Sequence, residues 1–252
     1  MRRIALIVCL TAVALAAVGG SVALAENFSG GPGNDVITGT PKPDAIWGEE
    51  GNDQLTGLAG NDYLESGQGD DMVSGGPGAD LVIAGSGNDT VQLGSGNDVA
   101  YAGPGNDQVL GEAGNDVILG QTGDDRLFGG PGNDRVYTGA GKDYADGGTG
   151  NDQIFADSGT SQLIGGPGND TIVGQHGTFN VDGGSGNDAI KLGAGNDRVV
   201  GGGGYDQIST GAGNDQIDVK DGLRDVVKCG PGDDRVKADK QDVLKGCEHR
   251  TT

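Results

Sequence analysis

Aspartate returns at every ninth position through most of this sequence. It stands at Asp35, Asp44, Asp53, Asp62, Asp71, Asp80, Asp89, Asp98, Asp107, Asp116, Asp125, Asp134, Asp143 and Asp152, then at Asp170, Asp188, Asp197, Asp206 and Asp215. Of 21 consecutive registers only two lack it, at Ser161 and Phe179, and no insertion interrupts the count. Paired carboxylates can hydrolyse a glycosidic bond, but that takes one acid and one base in different surroundings. Nineteen copies in one register are oxygen donors. Hard divalent cations take such oxygens: calcium binds six to eight, from carboxylates and backbone carbonyls. Gly stands two residues before each register except at Lys42, so the carboxylate follows a tight turn with accessible carbonyls.

The elements that hold these carboxylates follow from the same period. Two residues after each register stands Ile, Leu or Val, except at Ala100 and Ala145. Around it runs a three-residue strand such as Thr90-Val91-Gln92, whose centre faces inward and whose neighbours face out. A Gly-rich acidic chain can be a disordered low-complexity segment. A fixed phase of apolar residues over this length instead predicts stacked repeats. Turns then alternate between two edges, and carboxylates 18 residues apart lie one above the other, about 4.8 Å per rung. Asp35, Asp53, Asp71, Asp89, Asp107, Asp125, Asp143, Asp197 and Asp215 share one edge with Ser161 and Phe179, and the other ten share the second. Neighbouring pairs allow at most about 16 ions.

The units Gly130-Pro131-Gly132-Asn133-Asp134-Arg135-Val136 and Gly166-Pro167-Gly168-Asn169-Asp170-Thr171-Ile172 resemble the calcium-binding nonapeptide of RTX, or haemolysin-type, proteins. The resemblance covers roughly residues 30 to 218. It implies an all-β fold, a right-handed parallel β-roll of about ten 18-residue coils, with calcium between stacked turns. The toxin and protease domains of other family members have no counterpart in this chain, so their activities are not carried over.

Composition fits this reading. The chain has 54 Gly in 252 residues, 4% aromatics and a net charge of −21. Such an excess of acid argues against nucleic acid and anionic membrane surfaces as partners and for cations. Folding of so acidic a chain is expected to require calcium, near millimolar extracellular levels. Residues 1–25 read as a secretory signal: Met1-Arg2-Arg3, an apolar run from Ile4 to Val18, and Ala23-Leu24-Ala25 before Glu26. A membrane anchor is the alternative, against which stand the shortness of the run and Gly19-Gly20. Residues 26–219 form the roll. Residues 220–252 hold 8 of the 16 Lys and Arg and read as an end cap, or alternatively as a basic docking tag. In an exported chain Cys229 and Cys247 read as a disulfide rather than as free thiols.

One outward column is apolar: Ile83, Tyr101, Leu119, Tyr137, Phe155 and Val173, flanked by Leu81, Val99 and Val117. It reads either as ordinary β-propensity or as a docking or self-association surface. No catalytic motif accompanies it, and His176 near Ser161 is best read as a turn histidine. Outward Thr38, Thr56, Thr90 and Thr171 do not form the flat array that ice binding would want. The sequence therefore predicts a secreted, non-enzymatic calcium-binding roll. The alternative is a calcium-rigidified structural or adhesive protein acting through its apolar face.

Overall fold

The computed structural model describes residues 26–251, so the segment read as a signal, residues 1–25, lies outside the described part. The described chain holds 25 strands, all but two of them six residues or shorter, and no helix. Each strand pairs in parallel with the one a full coil further on, as Thr90 with Gln108 and Val117 with Arg135. Successive strands alternate between two sheets. The first takes the strands after Asp35, Asp53 and their successors and the second those after Asp44, Asp62 and theirs. The 15-residue strands Gln153–Pro167 and Thr171–Ser185, which pair on both, join them into one continuous 25-stranded sheet. The result is a parallel β-solenoid with carboxylate-bearing turns along both edges.

The core is a single file of side chains between the sheets. The residue two places after each Asp is buried, from Ile46, Leu64, Val82 and Ile118 at 0% exposure to Ile217 at 3%, except the half-buried Ile37 at the open end. Ala100 and Ala145 occupy the same file, also at 0%. A second inward file lies five places before each Asp. It is mostly Gly, Ala, Ser or Thr, with Leu93 and Leu192 as its large members. So thin a core buries few atoms per residue, and backbone pairing carries much of the architecture.

Turn conformation explains the glycines. Gly103 and Gly105, four and two places before Asp107, have φ of 114° and 154°. Left-handed backbone is forced even where the side chain resists it: Glu49, Leu58, Glu112 and Gln121, each four places before an Asp, have φ of 83°, 80°, 67° and 77°.

Two long strands depart from the pattern. Gln153–Pro167 and Thr171–Ser185 run 15 residues each around the edge where Ser161 and Phe179 replace Asp. They stay paired throughout, from Gln153 with Thr171 to Pro167 with Ser185. Beyond Val219 the coil continues. Gln207 pairs with Val226 and Gln216 with Arg235, a step of 19 instead of 18, so one extra residue is absorbed near Lys220–Arg224. The later strands Val243–Lys245 and His249–Thr251 close the stack, and the Cys229–Cys247 disulfide, with Cα atoms 5.2 Å apart, ties them to the previous coil.

Candidate metal centre

Most aspartates of the two edges make the same two-sided contact. One oxygen, Oδ1, accepts a hydrogen bond from the backbone N–H of the residue one coil earlier, which is Asp on most rungs, Glu26 for Asp44 and Phe179 for Asp197. Asp80 donates to Asp98 at 2.7 Å, Asp98 to Asp116 at 2.9 Å and Asp134 to Asp152 at 2.8 Å. The carboxylates are therefore part of the stack. The other oxygen, Oδ2, points into the turn. In 16 of the 19 sequence-predicted residues it is buried and has no hydrogen-bond partner; the exceptions are Asp35, Asp44 and Asp143. A buried, unpaired carboxylate oxygen is costly, and the same orphan repeated at every rung calls for a shared positive ligand.

The surroundings of Oδ2 suit a hard cation. Five places before the Asp, many turns carry Gly, and the place a Cβ would fill there lies among oxygens. Over Gly120 that point is 2.5 Å from Asp125 Oδ2 and 2.6 Å from the Thr138 carbonyl oxygen. Over Gly75 it is 2.5 Å from Asp80 Oδ2 and 2.6 Å from the Leu93 carbonyl oxygen. A side chain there would collide with both atoms, so glycine leaves a carboxylate oxygen and a backbone carbonyl oxygen side by side, the two kinds of donor that calcium takes. No three His, Cys, Asp or Glu side chains converge on one point among the described residues. The donor set is accordingly one or two carboxylates plus backbone carbonyls, a hard all-oxygen set.

Electrostatics point the same way. Burial pushes the Asp80 carboxyl up to about 8, with the like charges of Asp98 and Asp62 adding to it and the Asp62 N–H opposing. Burial raises Asp89, Asp116, Asp125 and Asp188 to about 7 in the same manner. Without a cation, the folded stack favours protonated carboxyls.

The exceptions have local causes. Asp44 follows Lys42-Pro43 instead of the usual Gly-Asn, and its carboxylate is filled by Thr40, whose N–H and hydroxyl reach Oδ2 at 2.5 and 2.9 Å. Asp143 stands next to the first defect: the Ser161 hydroxyl lies 3.4 Å from its Oδ2, and its N–H donates to Ser161 Oγ at 3.2 Å. Phe179 turns its ring inward at 1% exposure, over Gly174, into the space that an Oδ2 takes on other rungs. Its N–H still donates to Asp197 Oδ1 at 2.8 Å, so the ladder resumes after it, although the ring has no oxygen to accept from the coil before. His176 is exposed on its strand and pairs in register with Ser158, while Ser161 is engaged with Asp143.

Two features lie beyond the sequence reading. Asp225 and Asp234 join the columns, accepting from Asp206 and Asp215 at 2.9 Å each, and both have orphaned Oδ2 atoms. For Asp234 the Gly-Pro-Gly-Asp-Asp context at 230–234 was the available signal, hidden by the one-residue shift; Asp225, after Gly222-Leu223-Arg224, had only its nine-residue spacing from Asp234. The Asn that precedes the Asp on most rungs forms a second ladder of opposite sense, with Asp70 and Asp124 accepting in its place on two others. Asn133 Oδ1 accepts from the Asn151 N–H, Asn151 from Asn169 and Asn169 from Asn187, all at 2.8 Å. The repeated Gly-Asn-Asp triplet carried that information.

The outward apolar residues are in register. Ile83 pairs with Tyr101, Tyr101 with Leu119, Leu119 with Tyr137, Tyr137 with Phe155 and Phe155 with Val173. Tyr101 and Tyr137 are exposed, and the other four are half-buried. Leu81 is buried at 3% in a small cluster with Ala45 and Tyr63, so it does not extend the exposed strip.

A parallel solenoid with buried, cation-seeking carboxylates stacked along both edges defines a calcium-binding β-roll. The model of the RTX calcium-binding nonapeptide repeat matches the chain ten times, from residues 29–64 through 83–118 and 119–154 to 192–222, and the chain belongs to that family. Among curated proteins none matches. Among solved structures the chain is similar to a hyperactive, Ca2+-dependent, beta-helical antifreeze protein from an Antarctic bacterium, at 18% identity and a TM-score of 0.60. That likeness covers 93% of this chain and 97% of the other, and at this identity it concerns the fold.

Proposed function

We propose that this protein is an exported calcium-binding roll that folds as it loads calcium between stacked turns, and that it is not an enzyme. The observation that carries the reading is the column of buried, partnerless Oδ2 atoms along both edges. Asp53 through Asp134, Asp152, Asp170, Asp188, Asp197, Asp206 and Asp215 are the ligands, joined by Asp225 and Asp234. Bound calcium supplies the positive charge these carboxylates lack. The chain's own residues orient Oδ2 by anchoring Oδ1 to the coil before, and glycine clears space beside it. Export is supported by the amino-terminal apolar segment and by the Cys229–Cys247 disulfide, which belongs in an oxidising compartment.

A second reading is that the calcium-stiffened rod serves as a structural or adhesive element. It is favoured by the in-register apolar column on the second sheet. Calorimetric titration of the chelator-treated protein tests the primary reading. Binding of many ions per chain, accompanied by gain of β-structure, is the expected result. Stoichiometry of one or two, or binding without a change in structure, would contradict it.

A further inference from the structure

The outward column of the second sheet has a charge at each end of its apolar run. Rung by rung it reads Glu65, Ile83, Tyr101, Leu119, Tyr137, Phe155, Val173 and Lys191, every member paired in register with the next. Tyr101 and Tyr137 stand 37% and 38% exposed, and the Tyr137 and Phe155 rings stack at 4.9 Å and 14°. The Tyr63 hydroxyl donates to Glu65 Oε2 at 2.5 Å and fixes the acid on this face. Lys191 is exposed and makes no ion pair among the described residues.

This order is self-complementary under one symmetry. A two-fold axis along the strand direction, midway between the Leu119 and Tyr137 rungs, reverses the column onto itself. Leu119 then faces Tyr137 of a second copy, Tyr101 faces Phe155, Ile83 faces Val173, and Glu65 faces Lys191. Both ends close with opposite charges. Packing the two copies in the same direction sets Glu65 on Glu65 and Lys191 on Lys191, and slipping by one rung exposes an apolar residue and displaces both ion pairs. Beside the centre, Arg135 faces Val117 of the second copy and can lay its aliphatic stem over it.

We propose that two copies pair through this face, antiparallel, as an isologous dimer. The column, rather than the whole surface, identifies the occupant: a base and an acid equidistant from the middle of an apolar strip are what this face needs in a copy of itself. At about 4.8 Å per rung the strip is roughly 24 Å long. Two such strips bury on the order of 1,000 Å² or less, the lower end of specific interfaces, so a weak and reversible pairing is expected. The inference rests on the calcium reading, because a net charge of −21 on each chain opposes pairing until cations neutralise it.

Sedimentation velocity in millimolar calcium, with far-UV circular dichroism on the same samples, tests the pairing. The protein is expected to show a reversible monomer–dimer equilibrium. Lys191→Glu, an exposed change, is expected to weaken the dimer at least tenfold, and Glu65→Lys combined with Lys191→Glu to restore it. A roll that stays monomeric at about 100 μM, or a dimer indifferent to Lys191→Glu, overturns the inference while leaving the calcium reading intact. Absence of β-structure in calcium overturns both.

Discussion

Leu58 and Gln121 hold φ of 80° and 77° where most other rungs carry glycine. A left-handed non-glycine residue costs about 1–2 kcal/mol. Leu58→Gly and Gln121→Gly are each expected to stabilise the calcium-loaded roll by about 1 kcal/mol, seen as a higher denaturant midpoint. At the carboxylates the two oxygens have separable jobs. Asp116→Asn keeps an acceptor for the Asp98 N–H, which donates at 2.9 Å, but replaces the orphaned Oδ2 with an amide. The expected outcome is a calorimetric stoichiometry lower by one or two ions with the fold retained. Unchanged stoichiometry would remove Asp116 from the ligand set. Such roles were legible in the nine-residue register, because a side chain repeated at one turn position must meet its own copies. The filling of Asp44 by Thr40 was not legible, since it depends on how Lys42-Pro43 redirects one turn.

Among the elements, the strands were legible because alternation around each central Ile, Leu or Val fixes which face is buried. Phe179 was not: an aromatic residue in a carboxylate register reads as a lost ligand, whereas here it becomes a core residue over Gly174 and lets Thr171–Ser185 run unbroken. The coils past Val219 were obscured by a single inserted residue, which shifts the register in sequence but only widens one turn in space. The disulfide closes those coils. Replacing Cys229 and Cys247 with Ser is expected to cost about 3 kcal/mol. Hydrogen exchange should show the loss of protection confined to the last coils, with Thr90–Ala113 unaffected; uniform loss along the roll would contradict this assignment.

For the molecule as a whole, protons and calcium compete for one set of oxygens. The Asp80 carboxyl titrates near 3.8 when unperturbed and about 8 in the metal-free fold. A raised folded value means that this contribution to stability is complete below the unfolded value and is lost as pH climbs through the folded one. The metal-free chain should therefore gain β-structure on acidification from pH 8 to about pH 4, as followed by circular dichroism. Calcium, which needs the deprotonated groups, should bind more weakly at about pH 6 than at about pH 8. Opposite trends would mean that the carboxylates are not buried as described.

The roll is expected to exist only with its cation. Far-UV circular dichroism at pH 8, in millimolar calcium and then in excess chelator, measures this directly. Strong β signal with calcium that collapses to coil in chelator and returns when calcium is restored is the predicted result. A β spectrum that persists in chelator would contradict the claim that stacked carboxylates need calcium to fold.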